Sequence, residues 1–299
     1  MKKSTLYILT AGTLWGFMGI FVRALAGIGI SSTGAVMVRC GIAAVLLGLT
    51  ILIKDRRKFR VAPKDFWCFL GSGLCSTLFF SCCYFKSMEY LDLGTAAILL
   101  YTAPSIVIVL SRVIFREKLT GVKLLALLLA FAGCCLVSGV GTGAMRSAKG
   151  ILLGLGAGLG YALYSIFARL AMNRGYGSLT ISFYTSLLAA AGAGVVWGTR
   201  ETALMFAAPY NAILCVATAA VTFYLPYLLY TSGLEGLETS RASIMASIEP
   251  VVATLCGIII FHERMTAASV CGVVLVIGAI VLLNVGPPKR KQTQYNTLP

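Results

Sequence analysis

The chain has 299 residues, 59% of them hydrophobic and only 12% charged, with a mean hydropathy of +0.90 and a formal net charge of +15. Such a chain cannot cover itself with polar surface, and roughly ten to twelve apolar spans of about 20 residues would use nearly all of it, so a separate soluble catalytic or receptor domain is excluded. The positive charge would suggest nucleic acid in a soluble protein, but here the basic residues sit between hydrophobic runs, as loops beside anionic lipid headgroups do, and nucleic acid is not an expected partner.

The predicted spans are helices, because the hydrocarbon core offers no water to an open backbone and the runs lack the alternation of barrel strands. The first, Thr5–Leu25, follows Met1-Lys2-Lys3 and is read as a membrane span rather than a cleaved leader, since similar segments follow and no small-residue cleavage pattern intervenes. The second, Ser32–Ile53, carries Arg39 about 12 Å along the helix from its outer end. An intramembrane Arg needs water, a counter-charge or the bundle interior, so Arg39 reads as an anion clamp, a structural ion pair or a snorkelling side chain. A basic run from Lys54 to Arg60 leads to the third span, Phe66–Tyr90, with Tyr84, and the fourth, Leu93–Phe115, with Tyr101, Pro104 and Arg112. Arg112 is expected to snorkel, and Glu117, beside Arg116 and Lys118, to pair locally.

The fifth span, Val122–Val140, is followed by Gly141-Thr142-Gly143-Ala144-Met145-Arg146, which lacks the Gly-Lys-Ser/Thr ending of a phosphate loop. The sixth, Gly150–Met172, has overlapping small-xxx-small pairs at Gly154, Gly156, Gly158 and Gly160, a close-packing signal, and carries Tyr161. The seventh is Leu179–Gly198 and the eighth Tyr210–Leu234, with Tyr224, Tyr227 and Tyr230. In the ninth, Ser240–Phe261, Glu249 precedes Pro250, which frees the carbonyl of Ala246 from its helical partner and makes a local polar spot. Glu249 reads either as a proton- or cation-binding group or as a carboxylate tying neighbouring helices together. The tenth span is Ala268–Val285, and residues 286–299 form a basic tail.

With the N-terminus inside, sixteen Lys and Arg residues fall on the cytoplasmic side and only six outside, which places both termini in the cytoplasm. The ten cysteines all lie in apolar runs and His262 has no partner ligand, so no metal or other cofactor is expected.

An internal repeat runs at a constant offset of 146 residues: Tyr84/Tyr230, Glu89/Glu235, Ala96/Ala242, Pro104/Pro250, Phe115/Phe261, Glu117/Glu263 and Thr120/Thr266, with Gly12/Gly158, Phe21/Phe167 and Arg23/Arg169 in the first span of each half. Chance between apolar stretches explains matched Leu and Ala, not matched Pro, Glu, Tyr and Arg in one register. The fold class is therefore all-α integral membrane, ten transmembrane helices as two inverted five-helix repeats: residues 1–145, residues 146–285 and the tail. Five spans per repeat invert the second half, and such halves can open a central site alternately to either side.

These residues resemble the EamA-type branch of the drug/metabolite transporter superfamily. The resemblance rests on Trp15-Gly16, Arg39, the pattern from Tyr84 through Ala96 and Pro104 to Glu117, its repetition from Ala242 through Ser247-Ile248-Glu249-Pro250 to Glu263, and Gly272 and Gly278 in the last span. It implies ten helices, cytoplasmic termini and a central cavity, in a family whose members move amino acids and other metabolites. Many members carry a polar residue shortly after the Trp-Gly, where this chain has Phe17-Met18.

The expectation is a secondary transporter in the plasma (inner) membrane, monomeric or homodimeric, exporting a small metabolite such as an amino acid, with lipids as its surroundings. Trp15, Arg39, Tyr84, Tyr101, Tyr161, Tyr227, Tyr230 and Glu249 are the candidate substrate-binding residues, and Pro104 and Pro250 the candidate gating kinks. No Gly-x-Ser-x-Gly or His-Glu-x-x-His pattern supports an enzyme. The alternative is a non-transporting protein, such as a subunit of a lipid-modifying complex or a scaffold.

Overall fold

A computed structural model of the chain describes residues 2–91, 93–138, 147–262 and 266–285. Ten helices cross-pack in it: α1 (Lys2–Gly27), α2 (Ser32–Lys54), α3 (Pro63–Ser87), α4 (Thr95–Ile114), α5 (Gly121–Val137), α6 (Ala148–Asn173), α7 (Ser178–Phe206), α8 (Pro209–Leu234), α9 (Thr239–Ile260) and α10 (Ala267–Asn284). Eight are long and apolar enough to span a membrane; α5 is a shorter apolar helix and α7 runs for 29 residues. The seventh helix thus passes the expected end at Gly198, because the charged Arg200 is exposed and does not oblige the backbone to leave the helix there. Val140, the glycine-rich run at 141–146, Glu263 and the tail at 286–299 lie outside the described residues.

Polar residues fix the helix starts. Ser31 accepts from the Gly34 amide at 3.0 Å before α2, and Ser147 from the Gly150 amide at 3.2 Å before α6. Thr120 and Thr266, a repeated pair, accept from the Lys123 and Ser269 amides at 3.3 and 3.1 Å before α5 and α10.

The packing carries the repeat. α1 lies on α8 and α9 of the other half, and its counterpart α6 lies on α3 and α4. α2 packs along α7, α4 meets α9, and α5 runs against α10. Gly12 shows why a glycine is needed at such a crossing: a Cβ there would sit 2.6 Å from Ile248 Cγ2 and 3.1 Å from the Ala246 carbonyl. Gly158 meets the equivalent residues of the first half, Thr102 Oγ1 at 2.6 Å and the Leu100 carbonyl at 3.4 Å, with the Leu99 carbonyl closer still at 2.9 Å.

Irregular backbone recurs at the same offset. α4 is interrupted at Tyr101 and Thr102, and α9 at Ser247, in each case just before the repeated proline. α3 contains a π-helical stretch at Gly71–Leu78 and α8 one at Ala220–Tyr224, which end at equivalent positions. The first helices differ: α1 is broken at Phe17, whereas α6 is continuous.

Candidate functional site

The interruptions of α4 and α9 meet beside α6, around a small cavity lined by Tyr101, Pro104, Tyr161, Ser243, Ser247 and Glu249 among others. Its free space, about 10 Å³ for the centre of a water molecule, is close to the room one water needs. Tyr161 donates its hydroxyl to Glu249 Oε2 at 3.0 Å, joining α6 to α9. That bond fills one acceptor position on a carboxylate that has several.

From Tyr161 an aromatic cluster spreads between the halves. The Trp15 ring lies 6.1 Å from Tyr161, 5.6 Å from Tyr227 and 5.4 Å from Tyr230, with the first two contacts edge-on. Tyr164 packs edge-on against Tyr227 at 4.7 Å, and Phe223 stacks on Tyr227 at 3.8 Å. The hydroxyls are anchored at the edges: the Tyr230 hydroxyl is hydrogen-bonded to that of Ser165 and the Tyr164 hydroxyl to that of Thr231, each at 2.7 Å. Tyr84 stacks on Phe80, which packs on Tyr161, so it belongs to the margin of the cluster.

Arg39 stands on α2, whose Val36 and Cys40 pack with Phe223 and Tyr227 of this cluster. It is only 6% exposed, its Nη1 donates to the Met18 thioether at 3.1 Å, and its buried Nε has no hydrogen-bond partner among the described residues. A thioether is a weak acceptor, so the guanidinium is left with little to compensate its removal from water. The snorkelling alternative fails on this burial, and among the described residues no carboxylate forms an ion pair with Arg39. Met18, in the stretch where the sequence offers no polar side chain, is what touches the guanidinium.

A second polar network ties the halves at the end of the bundle that holds Ser4, whose carbonyl lies against Gly233. Glu117 accepts from the Thr239 and Ser240 amides at 2.7 and 3.1 Å and from the Ser240 hydroxyl. It thereby caps the N-terminus of α9, where a carboxylate is favoured by both free amides and the helix dipole. Lys123 lies 3.8 Å from Glu117 and 2.9 Å from Glu238, and Arg169 donates to Thr239 at 3.0 Å and to the Leu237 carbonyl. Glu117 therefore does more than pair locally. Fold geometry brings the first turn of the other half's α9 to it, which neighbouring residues alone do not reveal. Arg112, exposed as expected, also reaches back to the Glu117 carbonyl at 3.4 Å.

Nearby, Asp65 of the first half binds Arg174 and, at 2.9 Å, Tyr176 of the second. The Asp65 carboxylate pushes the ionisation of the Arg174 guanidinium still higher.

Two repeat-related halves, with broken helices meeting at a polar point in the bundle interior, form an arrangement that recurs among membrane transporters. Residues 2–139 and 148–285 each match the EamA-like transporter family. The chain belongs to that family. An uncharacterised transporter of Archaeoglobus fulgidus is 26% identical over 287 residues, covering 95% of this chain and 99% of its own. The uncharacterised transporter YwfM of Bacillus subtilis is 24% identical over 292 residues, covering 97% and 96%. A solved crystal structure with 15% identity superposes with a TM-score of 0.78 over 95% of this chain and 98% of its own, which shows a shared fold.

Within this EamA-like chain, the structure gathers Trp15, Tyr161, Tyr227, Tyr230 and Glu249 directly and places Tyr101 on the same cavity. Tyr164, Phe223 and Phe80 are not singled out by the sequence, and Met18 is named there only as an apolar residue where many family members are polar. For Tyr164, its position three residues after Tyr161 on one helix face was an available signal.

Proposed function

We propose that this membrane transporter is a secondary carrier that moves a small metabolite by alternating access, its substrate held between the two halves at Arg39, the aromatic cluster and Glu249. The observation that carries this reading is Arg39, a buried cation with an unpartnered Nε on the helix whose Val36 and Cys40 pack with Phe223 and Tyr227 of the aromatic cluster. A small solute bearing an anionic group would supply the missing acceptor, and one that also bears a cationic group would complement Glu249. An amino acid or a related zwitterion, exported across the plasma membrane, is the cargo class this favours. Both termini lie at the cytoplasmic face in this reading. The Glu117 and Asp65 networks then close that face, and they must part when the site opens to it.

Thermal melting of the detergent-purified protein against a metabolite panel tests the proposal, because a ligand that binds only the folded state raises apparent stability. Stabilisation by zwitterionic or anionic metabolites that is lost in Arg39→Ala, together with gradient-driven flux of the same compound in proteoliposomes, is expected. A flat response over the panel in the native protein sinks the carrier reading in favour of a scaffold.

A further inference from the structure

Outside the central site, one feature of the surface combines a cavity with fixed charge. α2 and α7 leave between them an apolar groove of about 460 Å³. Its walls include Gly41, Gly48 and Leu52 of α2 and Phe183, Leu187 and Ala191 of α7, and Phe59 lies at one end. From Leu52 to Gly41 the groove follows the helix for about 16 Å, and one leaflet of a roughly 30 Å hydrocarbon core is about 15 Å deep. Val45 and Leu49, also on its wall, are 61% and 50% exposed, so an apolar face opens outward there.

The Phe59 end is crowned by the α2–α3 connection. Between Lys54 and Arg60 this loop carries Lys54, Arg56, Arg57, Lys58 and Arg60 against a single carboxylate, Asp55. All but Lys58, which is half-buried, are exposed. The loop is held by its own backbone and by α7, the groove's second wall. Asp55 caps the Arg57 amide at 3.0 Å, Thr180 donates to the Lys58 carbonyl at 2.9 Å, and Tyr184 donates to the Phe59 carbonyl at 2.7 Å. Phe59 also packs edge-on against Phe183 at 5.1 Å. The nearest other carboxylate in sequence, Asp65, is occupied by Arg174 and Tyr176. The basic side chains thus stand over the groove mouth on a fixed backbone, with little acid to neutralise them.

We infer that this groove and its basic rim form a binding site for an anionic phospholipid, one acyl chain lying between α2 and α7 and the phosphate against Arg56, Arg57 and Lys58. Charge complementarity selects the headgroup, and the match between groove length and leaflet depth selects a chain over a flat partner. The site is separate from the proposed transport site and does not depend on it.

Native mass spectrometry of the detergent-purified full chain, titrated with phosphatidylglycerol or phosphatidylcholine of identical acyl chains, tests the assignment. Phosphatidylglycerol adducts are expected to persist to roughly tenfold lower lipid concentration, and this preference to vanish in the triple variant Arg56→Gln, Arg57→Gln, Lys58→Gln. Gly41→Leu is expected to remove adducts of both lipids, since a Cβ at Gly41 meets no atom within 4 Å and its side chain would fill the groove. If that variant does not fold, Ala191→Leu obstructs the same groove from the opposite wall. Equal binding of the two lipids, or adducts that survive groove filling, overturns the site. So does a native dimer that groove filling splits, because the groove would then be a subunit interface.

Discussion

Arg116 and His262, 146 residues apart, adopt the same left-handed backbone conformation, with φ at 54° in each. Each follows one of the broken helices α4 and α9, so the two halves end their fourth helices with the same turn. Both side chains are exposed. A Cβ is strained in this region and glycine is not. Arg116→Gly and His262→Gly are each expected to raise stability by about 1 kcal/mol, additively because the sites are distant. Thermal melting of the single and double variants measures this; a loss in either would show that the side chain contributes more than the turn costs.

Gly12→Ala and Gly158→Ala are expected to destabilise by about 1–3 kcal/mol each, because the added Cβ falls on neighbouring backbone and side-chain atoms of the opposite half. Gly19→Ala, where a Cβ meets nothing within 4 Å, is the control and should be neutral or slightly stabilising. Comparable losses at all three positions would argue against the close crossings of α1 and α6.

Arg39→Met should leave the substrate-free protein as stable as the native chain, or more so, while abolishing any ligand-induced rise in melting temperature. Replacing a buried, poorly paired charge by an apolar side chain of similar reach removes a desolvation cost. A strongly destabilised variant would instead assign Arg39 a structural ion pair.

Tyr161→Phe removes the hydroxyl that holds Glu249, and hydrogen bonds to charged groups are worth about 1.5–3 kcal/mol, so transport is expected to fall roughly 10- to 100-fold. Glu249→Gln should fall similarly, and the double variant little further, because both act through one contact. Fully multiplicative losses in proteoliposome flux would mean that the two residues act separately.

Glu117→Ala should expose the amides of Thr239 and Ser240. Peptide-level hydrogen exchange over the start of α9 is expected to quicken by roughly 10- to 100-fold, while α6 is unchanged apart from the turn around Arg169. Unaltered exchange at Thr239 and Ser240 would remove Glu117 from the closure between the halves.

The spans were legible because an apolar run in a lipid solvent has almost one way to satisfy its backbone. The repeat was legible because residues with strict steric or electrical demands, such as Pro104/Pro250 and Glu117/Glu263, recur in register. Of the site, the aromatic residues on repeat-related positions could be named, and Trp15, Tyr161 and Tyr230 do come together. What stayed hidden is set by packing across halves. Nothing in the sequence near Arg39 says that a methionine 21 positions earlier is its only hydrogen-bond acceptor among the described residues. Nor does the basic surrounding of Glu117 say that its carboxylate will cap a helix 122 positions away. The interruption of α1 at Phe17 was likewise invisible, since the continuous α6 presents the same apolar character.

The exchange of partners between halves also governs how the chain is made. α1 emerges first, yet the helices it lies on, α8 and α9, begin at Pro209 and Thr239. At about 5–20 residues per second, α1 waits roughly ten to forty seconds in the bilayer before its native neighbours are synthesised. The nascent protein must therefore survive as loosely associated spans, with Trp15 and Gly12 turned toward lipid or a temporary companion, and only the completed polypeptide can close its interior.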